Sequence, residues 1–368
     1  MTMSNTRLTF FCTWLLVFFL PIQLFCQEPV EDKKPTRHAI TYEYTAGRFG
    51  DKLLGYAQAR YLSHLTGLSF LYRPFENSQY LTIEYEAFSL EQHYKAYSQI
   101  LHIRSPETIT EFFKMLRDPQ TPPTIFVVDY FASDMSEWEP QGSWWSIALN
   151  IPWCDDKFAH YLQSSLQPRI PIPNLTVNGR LNVADHIRTL SGGDVPQGSI
   201  RDLPLKHVTL DYHERQIRKI YEWNLKKPMH VFLFSDTKTP LVLLEEMQKR
   251  FKTEDIIFNI QILEQPDVKY VIQDFFAMQK FHVIIATQSN FSMMASRLGN
   301  FDMIITPLHV IGKYPNYQID RVQIVTRKSS WFPYDLNIVV REDEKLLEQA
   351  RAPGNNQWRG ICDYFPEN

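Results

Sequence analysis

The chain has 368 residues and a formal net charge of −3, enough length for roughly two domains, each with its own core. No long lysine or arginine run, internal repeat or low-complexity tract is present. This pattern excludes an electrostatic footprint for nucleic acid and leaves a small or neutral partner as the expectation.

The N-terminal stretch LTFFCTWLLVFFLPIQLFC, Leu8 to Cys26, is apolar, follows Arg7 and runs into the polar QEPVEDKKPTR. It reads as an export signal over residues 1–27, either a cleaved signal peptide or a retained membrane anchor. Its length is near the lower limit for spanning a bilayer, and Pro21 and Gln23 interrupt its end. A lipid-anchored Cys26 is disfavoured by the bulky Phe25 before it. An exported, secretory-pathway or membrane-associated protein is therefore expected, with residues 28–37 as a polar spacer. Cys12 and Cys26 fall inside the apolar stretch, which leaves Cys154 and Cys362 for the body, without metal-type spacing. The fold should not depend on disulfides.

The first folded stretch begins HAITYEYTAGRFGDKLLGYAQARYLSHL at His38. Ile40, Tyr42 and Tyr44 alternate as in a strand, whereas Leu54, Ala57, Tyr61 and Leu65 recur at helical spacing, so Gly47 and Gly50 fall at a strand-to-helix junction. Strand-like runs LSFLY, QILHI and TIFVVDYF alternate with helical ones up to about Leu166, an α/β rhythm. Gln167 to Arg180, with three prolines and an Asn-Gly, reads as a linker. The alternation then resumes through LNVADHI, LDYHERQIRKIYEWN, MHVFLFSD, IIFNIQI, HVIIA and DMIITP. That order implies a doubly wound parallel sheet whose ligand lies beyond the carboxyl ends of its strands. The expected divisions are an amino-terminal α/β lobe over 38–170, a carboxyl-terminal α/β lobe over 171–310, and a segment 311–368 that packs back across the lobes and ends in a helix around REDEKLLEQARA.

Three stretches fall at strand ends. In ADHIRTLSGGD, His186 and Arg188 share a face, with Gly192, Gly193 and Asp194 in the loop beyond. Arginine offers a planar fork suited to phosphate or carboxylate, and a surface arginine beside a satisfied histidine is the plainer alternative. In VFLFSDT, Ser235 and Asp236 could reach a sugar or base, or cap the next helix. In HVIIATQSNFSMMASRLGN, Ser289, Asn290 and Ser292 stand at a helix start, which can hold an anion or be an ordinary cap with Met293 and Met294 turned to the core. Asp274 would then be a solvated carboxylate at a helix start. Ser136 to Trp153 carries four tryptophans that could stack on sugar rings or pack between lobes. Asn174–Thr176 and Asn290–Ser292 both match the N-glycosylation acceptor pattern.

The stretch DFFAMQKFHVIIATQSNFSMMASRLGN resembles the carboxyl-terminal signature of GDP-fucose-dependent fucosyltransferases, of the alpha-1,2 and protein O-fucosyltransferase kind. HIRTLSGGD resembles their His-x-Arg motif, and GRFGDK resembles the glycine-flanked turn near their start; the landmarks come in the family's order from Gly47 to Asn300. The resemblance implies two Rossmann-like lobes of the GT-B type with the donor site in the cleft, the carboxyl-terminal lobe holding the nucleotide sugar and the amino-terminal lobe on the acceptor side. Arg188 would bind the donor diphosphate and His186 the nucleotide. Asp274 would recognise guanine, and Asp236 would also bind the donor. Ser289, Asn290, Phe291 and Ser292 would form the phosphate-proximal turn, and Gly47, Arg48, Phe49 and Gly50 would face the donor from the other lobe.

The implied activity is an inverting transfer of fucose from GDP-fucose to a glycan or glycoprotein hydroxyl, with no cofactor and no metal. Arg188 would stabilise the charge growing on the β-phosphate, and a carboxylate would take the acceptor proton. Asp51 is the candidate base, with Glu84 and Glu86 as alternatives. The chain departs from the family at Thr189, where members with paired arginines carry the second, at Asp51 in place of Asn, and at Met293-Met294 in place of a Trp pair. The alternatives are a different nucleotide-sugar donor, or a non-catalytic glycan-binding envelope protein on the same scaffold.

Overall fold

The computed structural model describes residues 37–43, 47–83, 95–104, 106–129, 156–189, 204–262, 269–312, 317–326 and 329–332. Two sheets carry the fold. The first contains β1 (Ala39–Glu43), β2 (Ser69–Phe70), β3 (Gln99–Ile103) and β4 (Thr124–Asp129), in the order β2-β1-β4-β3. All its pairings are parallel. The helices α1 (Phe49–Thr66), α2 (Pro106–Arg117) and α3 (Asp156–Ser165) accompany it. β4 is buried at every position, which is why TIFVVD reads as a continuous apolar run and not as an alternation.

The second sheet has the order β10-β9-β8-β5-β6-β7, built from β5 (Leu181–Ile187), β6 (Met229–Ser235), β7 (Ile256–Ile260), β8 (Val283–Ile285), β9 (Met303–Ile311) and β10 (Gln318–Thr326). Its helices are α4 (Leu210–Trp223), α5 (Pro240–Arg250), α6 (Lys269–Met278) and α7 (Asn290–Leu298). From β5 the chain steps outward through β6 to β7, then returns to the other side of β5 at β8 and β9. The strand order therefore reverses between β5 and β8, the position at which such sheets open a ligand crevice. Within the segment after residue 310, β10 forms an edge strand antiparallel to β9. The helix expected around residues 341–352 lies outside the described residues, as do the N-terminal apolar stretch, Cys154, Cys362 and the tryptophan-rich stretch.

The sequence division at residue 170 falls between the two sheets, yet one apolar cluster runs through both. It contains Ile40 and Tyr42 of β1, Leu53 and Tyr56 of α1, Phe126 of β4, Ala184 of β5, Phe232 and Phe234 of β6, Phe275 of α6 and Ala295 of α7. A second cluster covers the opposite face of the second sheet and includes Val183, Ile187, Ile217, Val231 and Ile285. Among the described residues, no helix is long and apolar enough to cross a membrane.

Candidate functional site

The Gly47 to Gly50 turn has a steric reason for each glycine. Gly47 sits at φ +96°, and a Cβ there would lie 2.6 Å from Cβ of Asp51. Both facts call for glycine. At Gly50 the reason is close approach: a Cβ would lie 2.4 Å from the backbone nitrogen of Phe291 at the start of α7. The missing side chain lets the first turn of α1 rest on the first turn of α7. Phe49 locks the contact, its ring 5.2 Å from Phe275 and 6.4 Å from Phe291 by centroid, and Phe291 continues to His186 at 5.7 Å.

Asp51 closes the same turn. Its Oδ2 accepts the Arg48 backbone N–H at 2.8 Å, and its Oδ1 accepts from Nδ2 of Asn290. Both oxygens of the sequence-predicted base are thus engaged, one capping α1 and the other tying α1 to α7. Glu84 and Glu86, the alternative bases, lie outside the described residues, as do Gly192, Gly193 and Asp194.

Asp236, just past β6, is the hub of the charged groups. Its Oδ2 lies 3.2 Å from Nη1 of Arg188 and 3.3 Å from Nη2 of Arg48, while its Oδ1 accepts the Thr189 N–H at 2.8 Å and hydroxyl at 3.0 Å. It does not cap α5, whose N-cap is Thr239. Arg188 is only 9% exposed, so it is no ordinary surface arginine. Thr189, standing where the resembled family can have a second arginine, fixes Asp236 instead.

His186 is buried, with Nδ1 3.4 Å from the Thr287 hydroxyl. Burial lowers its pKa to about 4, against the opposing pull of Asp236, so the ring is neutral at neutral pH and offers one donor and one acceptor. α7 begins next to it at N-cap Ser289, without a side-chain cap; Ser292 turns its hydroxyl back to the carbonyls of Thr287 and Ser289 at 3.3 Å each. Met294 enters the core and Met293 is half-buried. The start of α7, with its positive dipole end, therefore lies beside His186, while the backbone nitrogen of Phe291 packs against Gly50.

Two residues of this site escaped the sequence reading. Lys206 is half-buried in the turn before α4; desolvation lowers its pKa, Asp51 and Asp236 act to raise it, and Arg48 lowers it. His207 is 5% exposed, with neither ring nitrogen partnered among the described residues. Burial, then Lys206, push its pKa down. A polar, unpatterned turn gives no periodic signal that could have flagged either residue. Among the described residues, Arg48, Arg188 and Lys206 gather near Asp236 and Asp51, beside two histidines whose pKa burial lowers.

Asp274 lies well inside α6, which corrects the expectation of a carboxylate at a helix start. Its Oδ1 is buried without a partner among the described residues, and desolvation raises its pKa to about 7. Its neighbour Phe275 packs against Phe49 and Phe291.

No protein-family model and no curated protein matches the chain. Among solved structures, the chain is similar to an arginine-to-lysine mutant of Arabidopsis thaliana FUT1 in complex with GDP, at 13% identity over 74% of this chain and 71% of that one, with a TM-score of 0.43. It is also similar to the fucosyltransferase NodZ from Bradyrhizobium, at 14% identity over 79% of this chain and 99% of that one, with a TM-score of 0.41. A NodZ alpha-1,6-fucosyltransferase soaked with GDP-fucose is similar at 12% identity, over 79% of this chain and all of that one (100%), with a TM-score of 0.41.

Proposed function

We propose that this chain is an inverting, metal-independent glycosyltransferase of the GT-B type that moves fucose from GDP-fucose to a glycan or protein hydroxyl. The observation that carries the reading is the meeting of Arg188, Arg48 and Lys206 around Asp236 at the β5–β8 reversal, beside the uncapped start of α7. The choice of GDP-fucose follows from the sequence resemblance at the same residues. Arg188, held by Asp236, would bind the diphosphate through its guanidinium. The first-turn amides of α7 would take further phosphate oxygens, and both would stabilise charge on the leaving β-phosphate. Neutral His186 would hydrogen-bond the nucleotide, Asp274 would pair with guanine, and the first sheet would receive the acceptor. The apolar segment before residue 27 would deliver the protein to exported glycans.

The engaged oxygens of Asp51 and the Thr189–Asp236 bonds also fit a second reading, a glycan-binding protein that keeps the scaffold without turnover. Thermal-shift titration with GDP, UDP and ADP, followed by GDP release from GDP-fucose, separates the readings. GDP should stabilise the wild type by mass action, whereas UDP and ADP should do so less. Arg188→Ala and Arg188→Lys should remove most of the shift, because lysine keeps the charge but loses the fork. Undiminished GDP binding in Arg188→Ala would refute the donor site. GDP binding without any turnover would favour the second reading.

A further inference from the structure

The first sheet carries a polar cluster of its own, which the donor site does not use. Glu43 ends β1 and Asp129 ends β4, and the two are register partners. His102 belongs to the neighbouring β3, and Arg104 follows that strand. In the order β2-β1-β4-β3 the chain leaves β1 to one side for β2 and comes back on the other at β4 and β3. Strand order therefore reverses between β1 and β4, and both carboxylates border the crevice in which an open parallel sheet receives ligand.

The contacts order the imidazole. Asp129 Oδ2 lies 2.9 Å from Nδ1 of His102 and 2.6 Å from Nε of Arg104. A carboxylate only accepts, so Nδ1 carries the proton and Nε2 keeps its lone pair in the neutral ring. Asp129 is 5% exposed, and its Oδ1 is buried with no partner among the described residues. Such an atom calls for a ligand or a bound water. Donor atoms of Glu43, His102 and Asp129 lie within 4.8 Å of one another, a spacing that a divalent cation could use. Charge argues otherwise: Arg104 on Asp129 and Arg73 on Glu43 at 3.3 Å already balance the two carboxylates. A dication would add two uncompensated charges.

We propose that His102, oriented by Asp129, is the general base that takes the proton of the acceptor hydroxyl. The proposal rests on the fucosyl-transfer reading above. In the step, Nε2 takes the hydroxyl proton while the acceptor oxygen bonds to the anomeric carbon of fucose. The bond from that carbon to the β-phosphate oxygen breaks, its electron pair leaving with GDP, and Asp129 stabilises the imidazolium that forms. Arg48 of the donor site follows Glu43 by five residues, so the chain limits their separation to about 18 Å even when fully extended. Asp51, the candidate from the sequence, already accepts one hydrogen bond on each oxygen.

The test uses the full chain and compares wild type with His102→Gln and Asp129→Asn. GDP affinity is measured by calorimetry, and GDP release from GDP-fucose is followed with water and with a panel of glycan and hydroxyl-peptide acceptors. His102→Gln, which changes a side chain that is one-third exposed (33%), should keep GDP affinity within about twofold and lower kcat roughly 10²–10⁴-fold. It should also lose the rising limb of the kcat–pH profile. Asp129→Asn, which disturbs the tautomer, should lower kcat with GDP affinity kept. An unchanged kcat or a surviving pH limb in His102→Gln overturns the proposal, and so does a wild type that binds GDP but never turns over. Failure to bind GDP instead brings down the donor site and, with it, this base. A Mn²⁺ or Zn²⁺ titration that stabilises wild type but not His102→Gln makes the cluster a cation site and overturns the base assignment.

Discussion

Replacing Gly50 with alanine tests the contact on which the donor site is built. The added Cβ would stand 2.4 Å from the Phe291 backbone nitrogen, with the Asn290 carbonyl carbon at 2.7 Å. Ordinary contact begins at about 3.4 Å, so α1 and α7 must separate by roughly 1 Å, and neither neighbour is a flexible side-chain tip. Overpacking of this kind costs about 1–3 kcal/mol. Separation also weakens the bond from Asn290 to Asp51, worth about 1 kcal/mol, while alanine's better helix propensity returns up to about 1 kcal/mol. The balance is a loss on the order of 2 kcal/mol, about 30-fold in the folding equilibrium. Urea unfolding followed by tryptophan fluorescence should show a lower midpoint with an unchanged slope, and GDP affinity should fall because the first turn of α7 has moved. A gain in stability, the outcome helix propensity alone would give, would refute the close-approach argument.

Asp274→Asn should raise stability above pH 7. The carboxyl's pKa rises from the usual acidic range to about 7 on folding, so the folded state holds more protons between those values and wild-type stability falls as pH climbs through that window. The effect should reach about 1–4 kcal/mol at pH 8 by urea titration. If the carboxylate recognises guanine, GDP affinity of the wild type should instead rise from pH 6 to pH 8, and the variant should lack that rise. His186 and His230 are both held near pKa 4, chiefly by burial. The unfolded chain then binds more protons below about pH 6.5, and stability should drop between pH 6.5 and pH 4 by up to about 3 kcal/mol per ring; His186→Asn should flatten that slope in acid titrations of the unfolding midpoint. Asp51→Asn leaves one strong acceptor where two are used, so it should cost about 1–2 kcal/mol and weaken GDP binding in parallel. A variant that loses only kcat, with stability and GDP affinity intact, would identify Asp51 as the base.

What the sequence made legible was local. His186 and Arg188 were found because a strand's period of two places them together past an apolar run, and Gly47 and Gly50 because a switch in period marks a strand-to-helix junction. Of the two stretches that match the glycosylation pattern, Asn174 is exposed, while Asn290 is 8% exposed and bonded to Asp51. Burial and bonding leave no room for a glycan at Asn290 in the folded chain. What stayed hidden was long-range. Nothing near Arg48 announces a partner 188 positions away at Asp236, and β10 depends on antiparallel pairing with β9, a contact the parallel rhythm does not anticipate. The Glu43–His102–Asp129 cluster is a different case. AITYE and TIFVVD are apolar runs closing on a polar residue at the carboxyl edge of a parallel strand, and QILHI brings its histidine beside them. VFLFSD and ADHIR carry the same signal, and there it led to the donor site. Its meaning depends on strand order, because only strands flanking a reversal border a crevice, and the reversals at β1–β4 and β5–β8 become visible once the pairings are known. The Gly47 turn lies between the two groups in the chain, with four residues separating Glu43 from Arg48. A substitution that shifts this turn should therefore disturb acceptor and donor groups together, whereas His102→Gln should leave the donor side untouched.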